Sequence, residues 1–197
     1  NELSQYLTVF RPDAAITITP RAVYVLLPGG ESESVVRLVN GALTAIHIAF
    51  TDQIRAAISH ASTQPADLPN MRREIDDILR VTTVNSDFPV VAKIGDVHAR
   101  VLLAHVADEL MREPMLKHPG IEAMLAYDLE NKTNYADSVT AWLDAVGDIA
   151  LAAESLFIHA NTLRYRLRRV KDLFNITLDN PDDRLAVWMQ LRLVMRE

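Results

Sequence analysis

The chain has 197 residues, 49% apolar and 23% charged, with a net charge of −6. That is enough apolar material for one large globular domain or two small ones. The absence of cysteine excludes disulfides, cysteine-ligated zinc and a cysteine nucleophile, and no run of about 18 apolar residues offers a membrane-spanning helix.

Strand-like and helix-like segments alternate at first. Ile16-Thr17-Ile18 and Ala22-Val23-Tyr24-Val25-Leu26-Leu27 are apolar and β-branched, bounded by Pro20 and by Pro28-Gly29-Gly30, and predict a hairpin. Residues 31–46 place Val35, Val36, Leu38, Val39, Leu43 and Ile46 near helical spacing, with Ser32 or Ser34 as cap. Ile48-Ala49-Phe50 reads as a further strand. Asp67-Leu68-Pro69 opens a helix reaching Val84, with Met71, Ile75, Ile78 and Leu79 on one side. Pro89-Val90-Val91-Ala92-Lys93-Ile94 predicts another strand, ending at Gly95-Asp96. The expected class is α+β: an α/β unit over residues 1–95, then an all-α domain over residues 96–197.

In that second part, Val101, Leu102, His105, Val106 and Leu110 predict a helix over residues 98–111. Pro114, Pro119 and Gly120 break the chain before a short helix at residues 121–129. Tyr135, Val139, Trp142, Leu143 and Val146 form one apolar stripe that Gly147 ends. Asp148 caps the next helix, where Ile149, Ala152, Ala153 and Leu156 recur on one face. Phe157-Ile158-His159-Ala160 makes a tight connection, and Asn161 is the expected N-cap of a helix over residues 162–174. Beyond it, Pro181 and the acids Asp182 and Asp183 open a closing helix over residues 182–195.

The helix over residues 162–174 carries the chemistry. Leu163, Leu167, Val170 and Phe174, spaced 4, 3 and 4, give one buried stripe; Asn161, Arg164, Tyr165 and Arg168 project opposite, with Thr162 and Arg169 at a flank. Between His159 and Lys171 lie five cations (Arg164, Arg166, Arg168, Arg169 and Lys171) and no acid, so the rest of the chain carries −11. A basic island on an acidic body suits a local phosphate-binding face. A charged helix face is more often only solvated. Here a preceding helix, a tight turn and alanines at the packing point favour a helix-turn-helix whose second helix enters a major groove. Guanidinium groups there serve guanine edges and phosphates alike. Asn161, Thr162, Arg164, Tyr165 and Arg168 are expected near base edges; Arg166, Arg169 and Lys171 nearer phosphates.

Residues 155–170, with the core Asn161-Thr162-Leu163-Arg164-Tyr165-Arg166-Leu167, and the following Leu178-Asp179-Asn180-Pro181-Asp182-Asp183-Arg184-Leu185 resemble the C-terminal helix-turn-helix of PucR-type regulators. That family includes regulators of purine catabolism, sugar-diacid use and polyketide synthase expression. Ala160 departs from it, since many members carry Arg there. The module also resembles the Fis type of helix-turn-helix, except that Phe157 stands where that group prefers Gly. The resemblance implies a sequence-specific DNA-binding transcriptional regulator, not an enzyme, with a degenerate GGDEF-like domain ahead of the helix-turn-helix. Where an active diguanylate cyclase would carry that motif, the hairpin reads Ile18-Thr19-Pro20-Arg21-Ala22. It lacks the glycines that admit phosphate and the carboxylates that hold magnesium, so its expected role is dimerisation or signal relay.

Double-stranded DNA is therefore the expected partner, bound by a homodimer across two half-sites, with no cofactor, no metal and no membrane. The chain begins at Asn1, not Met, and shows no basic-then-apolar leader. A cytoplasmic piece of a longer protein is expected, with any small-molecule effector sensed outside these residues. The alternatives are a scaffold whose basic helix docks an acidic protein, and an enzyme with a nucleotide site near Pro28, Gly29, Gly30 and Glu31. The six histidines lie at no convincing ligand spacing, and Asp76-Asp77 and Asp182-Asp183, as neighbours on a helix, point apart.

Overall fold

The computed structural model describes residues 2–29, 32–47, 54–84 and 87–195, and the chain divides into two units, Asn1–Leu102 and Leu103–Glu197. In the first, α1 (Glu2–Phe10) precedes the hairpin of β1 (Ala15–Ile18) and β2 (Val23–Leu26), and α2 (Ser32–His47) follows. The hairpin is antiparallel, with Ala15 opposite Leu26 and Ile18 opposite Val23. Thr19 closes its turn twice over: its N–H donates to the Ala22 carbonyl at 2.9 Å, and its hydroxyl accepts from the Ala22 N–H at 3.0 Å. Pro20, between them, fixes φ for the corner.

β3 (Ala56–Ile58) pairs in parallel with β4 (Val91–Lys93), Ala57 lying opposite Ala92. Parallel strands need a crossover, and α3 (Leu68–Val84) supplies it, entered through a 3₁₀ turn at Pro65–Asp67. Ile78, Ala92, Val97 and Val101 form the core beneath this βαβ element, with Ala57, Val81, Phe88 and Ile94 packed around them. Thr82 is fully buried there and satisfies its hydroxyl by donating to the Ile78 carbonyl at 2.9 Å.

The architecture is mixed and helix-rich. Among the described residues the four strands make two separate two-stranded sheets, β1–β2 and β3–β4. The strand expected at Ile48-Ala49-Phe50 lies outside the described residues. The strand expected through Ile94 stops at Lys93, where α4 (Ile94–Arg112) begins at once. Asp96 is the cause: its carboxylate accepts the Lys93 N–H at 2.8 Å, as a third-residue acid does in a capping box. Neither α1 nor β3 is expected from the sequence. The first is short and carries Thr8 and Val9; the second is mostly alanine, which has little strand preference. No helix among the described residues is long and apolar enough to cross a membrane.

The second unit is helical: the end of α4, a 3₁₀ turn at Pro114–Leu116, α5 (Pro119–Asn131), α6 (Tyr135–Asp144), α7 (Ile149–Ser155), α8 (Ala160–Phe174) and α9 (Pro181–Val194). Its main core gathers Ile121 and Met124 of α5, Val139 and Leu143 of α6, Val170 and Phe174 of α8, and Val187 and Leu191 of α9. The rings of Tyr127, Tyr135 and Phe174 meet at centroid distances of 5.6–6.0 Å, within the range where tilted and edge-on aromatic pairs attract. Asp144 ties α6 to α9, accepting from Trp188 Nε1 at 2.7 Å and pairing with Arg192 at 2.9 Å.

Gly120 is where α5 meets the end of α8. A Cβ there would stand 2.2 Å from the Phe174 carbonyl oxygen, a backbone atom that cannot swing aside. Gly120→Ala should therefore cost about 2–3 kcal/mol through overpacking. Urea denaturation read by tryptophan fluorescence checks this; an unchanged midpoint would show that the two elements separate freely.

Candidate nucleic-acid interface

α6, α7 and α8 form a three-helix arrangement whose ends are tied by side chains and by turn geometry. The start of α6 is capped from the helix before it: Asp128 accepts the Tyr135 N–H at 3.0 Å, the Ala136 N–H at 2.8 Å and the Thr133 hydroxyl at 2.6 Å. At the other end of α6, the Val146 N–H bonds the Leu143 carbonyl and the Gly147 N–H bonds the Trp142 carbonyl. This double closure puts its left-handed residue at Val146 (φ +53°), with Gly147 next at +86°. The stop expected at Gly147 thus falls one residue earlier. Asp148 then caps α7 as expected, accepting from Ala150 and Leu151 at 2.7 and 3.1 Å.

The turn into α8 repeats that geometry. Phe157 N–H bonds the Glu154 carbonyl, Ile158 N–H bonds the Ala153 carbonyl, and Phe157 takes the left-handed seat at φ +55°. This is the position where the Fis type prefers Gly. α8 begins at Ala160, earlier than expected, because the cap is His159 and not Asn161: the His159 Nδ1 accepts the Asn161 N–H at 3.2 Å. Asn161 is already helical, and its side chain accepts from Arg164 Nη1 at 2.9 Å. Ala152, Ala153 and Leu163 are buried where α7 and α8 cross, ringed by Ala141, Trp142, Ala145, Ile149, Leu156 and Ile158. Two small residues on α7 let Leu163 seat deeply.

The stripe of Leu163, Val170 and Phe174 is buried and Leu167 half-buried, as the spacing requires. Asn161, Thr162, Arg164, Tyr165, Arg168 and Lys171 are exposed; Arg166 and Arg169 are half-buried. None of Arg164, Arg168 and Arg169 forms an ion pair with another described residue. Arg168 Nε lies 3.4 Å from the Arg164 carbonyl, a contact that leaves the guanidinium's outer nitrogens to solvent. Arg166 turns inward instead, its Nη1 donating to the Ser138 hydroxyl of α6 at 3.2 Å. Ser138 is fully buried and itself donates to the Asn134 carbonyl. No local signal links Ser138 to Arg166 across 28 residues, so sequence reasoning misses this partner. Lys171 pairs with Asp179 at 2.8 Å, an acid that the sequence marks only as preceding α9.

The arrangement is an anion-seeking surface with planar donors on one side of an otherwise well-packed helix. A helix, a left-handed turn and a second helix with exposed guanidiniums define a helix-turn-helix module of the kind that presents side chains to duplex DNA. Residues 135–193 match the family model of the PucR C-terminal helix-turn-helix domain, and this part of the chain is a domain of that family. The DNA-binding transcriptional activator AdeR of Bacillus subtilis is 28% identical over 67 residues, 34% of this chain and 16% of that protein. The carbohydrate diacid regulator of Escherichia coli is 35% identical over 65 residues, 33% of this chain and 17% of that protein. An uncharacterized protein of Mycobacterium tuberculosis is 28% identical over 141 residues, 72% of this chain and 27% of that protein. The first two matches thus span about a sixth of those relatives' own length. A regulator of polyketide synthase expression from Bifidobacterium adolescentis superposes with a TM-score of 0.40 at 19% identity, over 99% of this chain and 75% of that one.

The Lys171–Asp179 pair sets a pH window. The Lys171 ammonium, by hydrogen bond and then by charge, holds Asp179 below its ordinary 3.8; Asp179 in turn holds Lys171 above its ordinary 10.5. The lowered carboxyl stabilises the fold above its unfolded pKa and loses that effect as pH falls through its folded one. The raised amine does the reverse at high pH. Thermal melts of Asp179→Asn against the parent should differ at pH 7 and converge when pH drops well below 3.8. A difference undiminished in acid would mean that the pair is not its source.

Proposed function

We propose that this chain is the DNA-binding part of a PucR-type transcriptional regulator, which reads duplex DNA with α8 in the major groove. One observation carries the reading: the exposed face of the second helix in the module holds Arg164 and Arg168, neither of which has an ion-pair partner among the described residues. Asn161, Thr162, Arg164, Tyr165 and Arg168 stand toward base edges, with Arg164 and Arg168 as bidentate donors to guanine. Arg169 and Lys171 serve phosphates, Lys171 by exchanging Asp179 for the backbone. Arg166, expected nearer phosphate, is better used in holding α8 against α6 through Ser138.

A single module of this size buries little DNA surface, so affinity and specificity call for a homodimer on two half-sites about one helical turn apart. The N-terminal unit is read as a degenerate GGDEF-like domain that supports dimerisation or relays a signal. The β1–β2 hairpin, the helix that follows it and the parallel β3–α3–β4 element favour that reading. Effector sensing belongs to a part of the longer protein outside these residues, and the site of action is the cytoplasm.

Duplexes selected from a random pool supply the probe. Arg164→Ala or Arg168→Ala should weaken binding by about 1–3 kcal/mol and flatten sequence preference. Arg166→Gln should lower the melting temperature while leaving the slope of log K against log salt at the parent value, since a lost phosphate contact would reduce that slope by about 0.9. Gel shifts in which both Arg164→Ala and Arg168→Ala bind as the parent does would remove α8 as the reader.

A further inference from the structure

The turn before α8 holds a side chain that the fold does not use. Phe157 is 96% exposed, so its ring contributes no packing, yet its backbone sits at φ +55°, a conformation that disfavours any residue with a Cβ. An exposed aromatic ring in that seat gains nothing from packing in the free protein, and strained backbone positions gather where a surface meets a ligand. The seat is rigid. Two backbone hydrogen bonds close the turn on either side of Phe157, and the next residue, Ile158, packs against the Ala152, Ala153 and Leu163 cluster. The ring is therefore carried outward on a fixed backbone, three residues ahead of Ala160, the first residue of α8.

That place decides the partner. A reading helix approaches base edges with its N-terminal end, and Phe157 precedes that end by three residues, exposed like Asn161, Thr162, Arg164 and Arg168. We infer that Phe157 is a DNA-contacting residue, its ring pressed against an apolar group of the duplex, a thymine methyl or a deoxyribose at the groove wall. This rests on the DNA-binding reading of α8. The contact would add shape selection to a surface otherwise made of hydrogen-bond donors, because a methyl group offers an arginine nothing to bond.

Val146 supplies the control. It has the same left-handed backbone (φ +53°) and is 91% exposed, but it lies at the opposite end of α7, a seven-residue helix about 10 Å long at 1.5 Å per residue. Glycine relieves the strain in both turns, so Phe157→Gly and Val146→Gly should each raise the melting temperature by about 2–4 °C. Their effects on DNA should part. Phe157→Gly should bind a duplex selected from a random pool about tenfold more weakly, the worth of burying much of an aromatic ring, while Val146→Gly binds as the parent does. Uracil in place of thymine in the same duplex separates the two sources. A loss specific to the methyl vanishes on uracil, whereas a loss at deoxyribose persists. If Phe157→Gly is more stable and binds undiminished, the ring contact is wrong and the reading of α8 stands. If the parent binds no duplex even at low salt, that reading fails and the ring contact with it.

Discussion

The close crossing of α7 over α8 is the constraint on which the module depends. Ala152 and Ala153 are buried against Leu163, and all three lose essentially all contact with water. A larger side chain at either alanine would push α8 away or roll it about its axis, and a helix turns through about 100° per residue. A modest roll would carry Arg164 and Arg168 off the open face and bring the half-buried Arg166 and Arg169 outward. The direction in which the guanidiniums point is thus set by apolar packing on the opposite side. Placing charge in this module is a matter of where the leucine goes.

Electrostatics then sorts the cations into two groups. Arg166 is drawn inward by a buried hydroxyl and Lys171 is held by an acid on the following loop, so neither is idle in the free protein. Arg164, Arg168 and Arg169 have no such ion-pair partner among the described residues. Guanidiniums without an acid partner among the described residues, in a protein with a net charge of −6, make a local positive field that the average charge hides. A patch of that kind draws anions by charge and orients them by planar donors, and the restrained cations at its edges fix the helix that carries it.

How much of this was legible in the sequence depended on whether the governing interaction was local. The hairpin, α3, the apolar stripe of α8 and the Asp148 cap follow from periodicity and from turn residues within a few positions of each other. The Asp128 cap on α6 and the Ser138–Arg166 bond connect residues brought together only by folding, and nothing in their neighbourhoods announces them. β3 is legible only through its partner, because two alanines and an isoleucine become a strand when β4 offers them a parallel edge. At α8 the expected cap, Asn161, was the better capping residue by type. His159 holds the place because the turn ahead of it ends there, leaving Asn161 inside the first turn beside Arg164.

The helix ends of this unit share one device. α5, α6, α7 and α8 are each followed by a left-handed residue, Lys132, Val146, Phe157 and Asn175 in turn, and none of the four is glycine. Only asparagine tolerates that conformation readily; the others forgo conformational energy that glycine would have spared. The closing hydrogen bonds recover part of it and hold each turn, and a side chain at that position also narrows the backbone's freedom in the unfolded chain. A stiff turn matters most between α7 and α8. A helix that wobbled on its connection would have to be ordered on contact with any partner, and each side chain immobilised at an interface already carries an entropic cost of about 0.5–1.5 kcal/mol. On the proposed reading of α8, the strained Phe157 seat exchanges stability for preorganisation at the turn that leads into that helix.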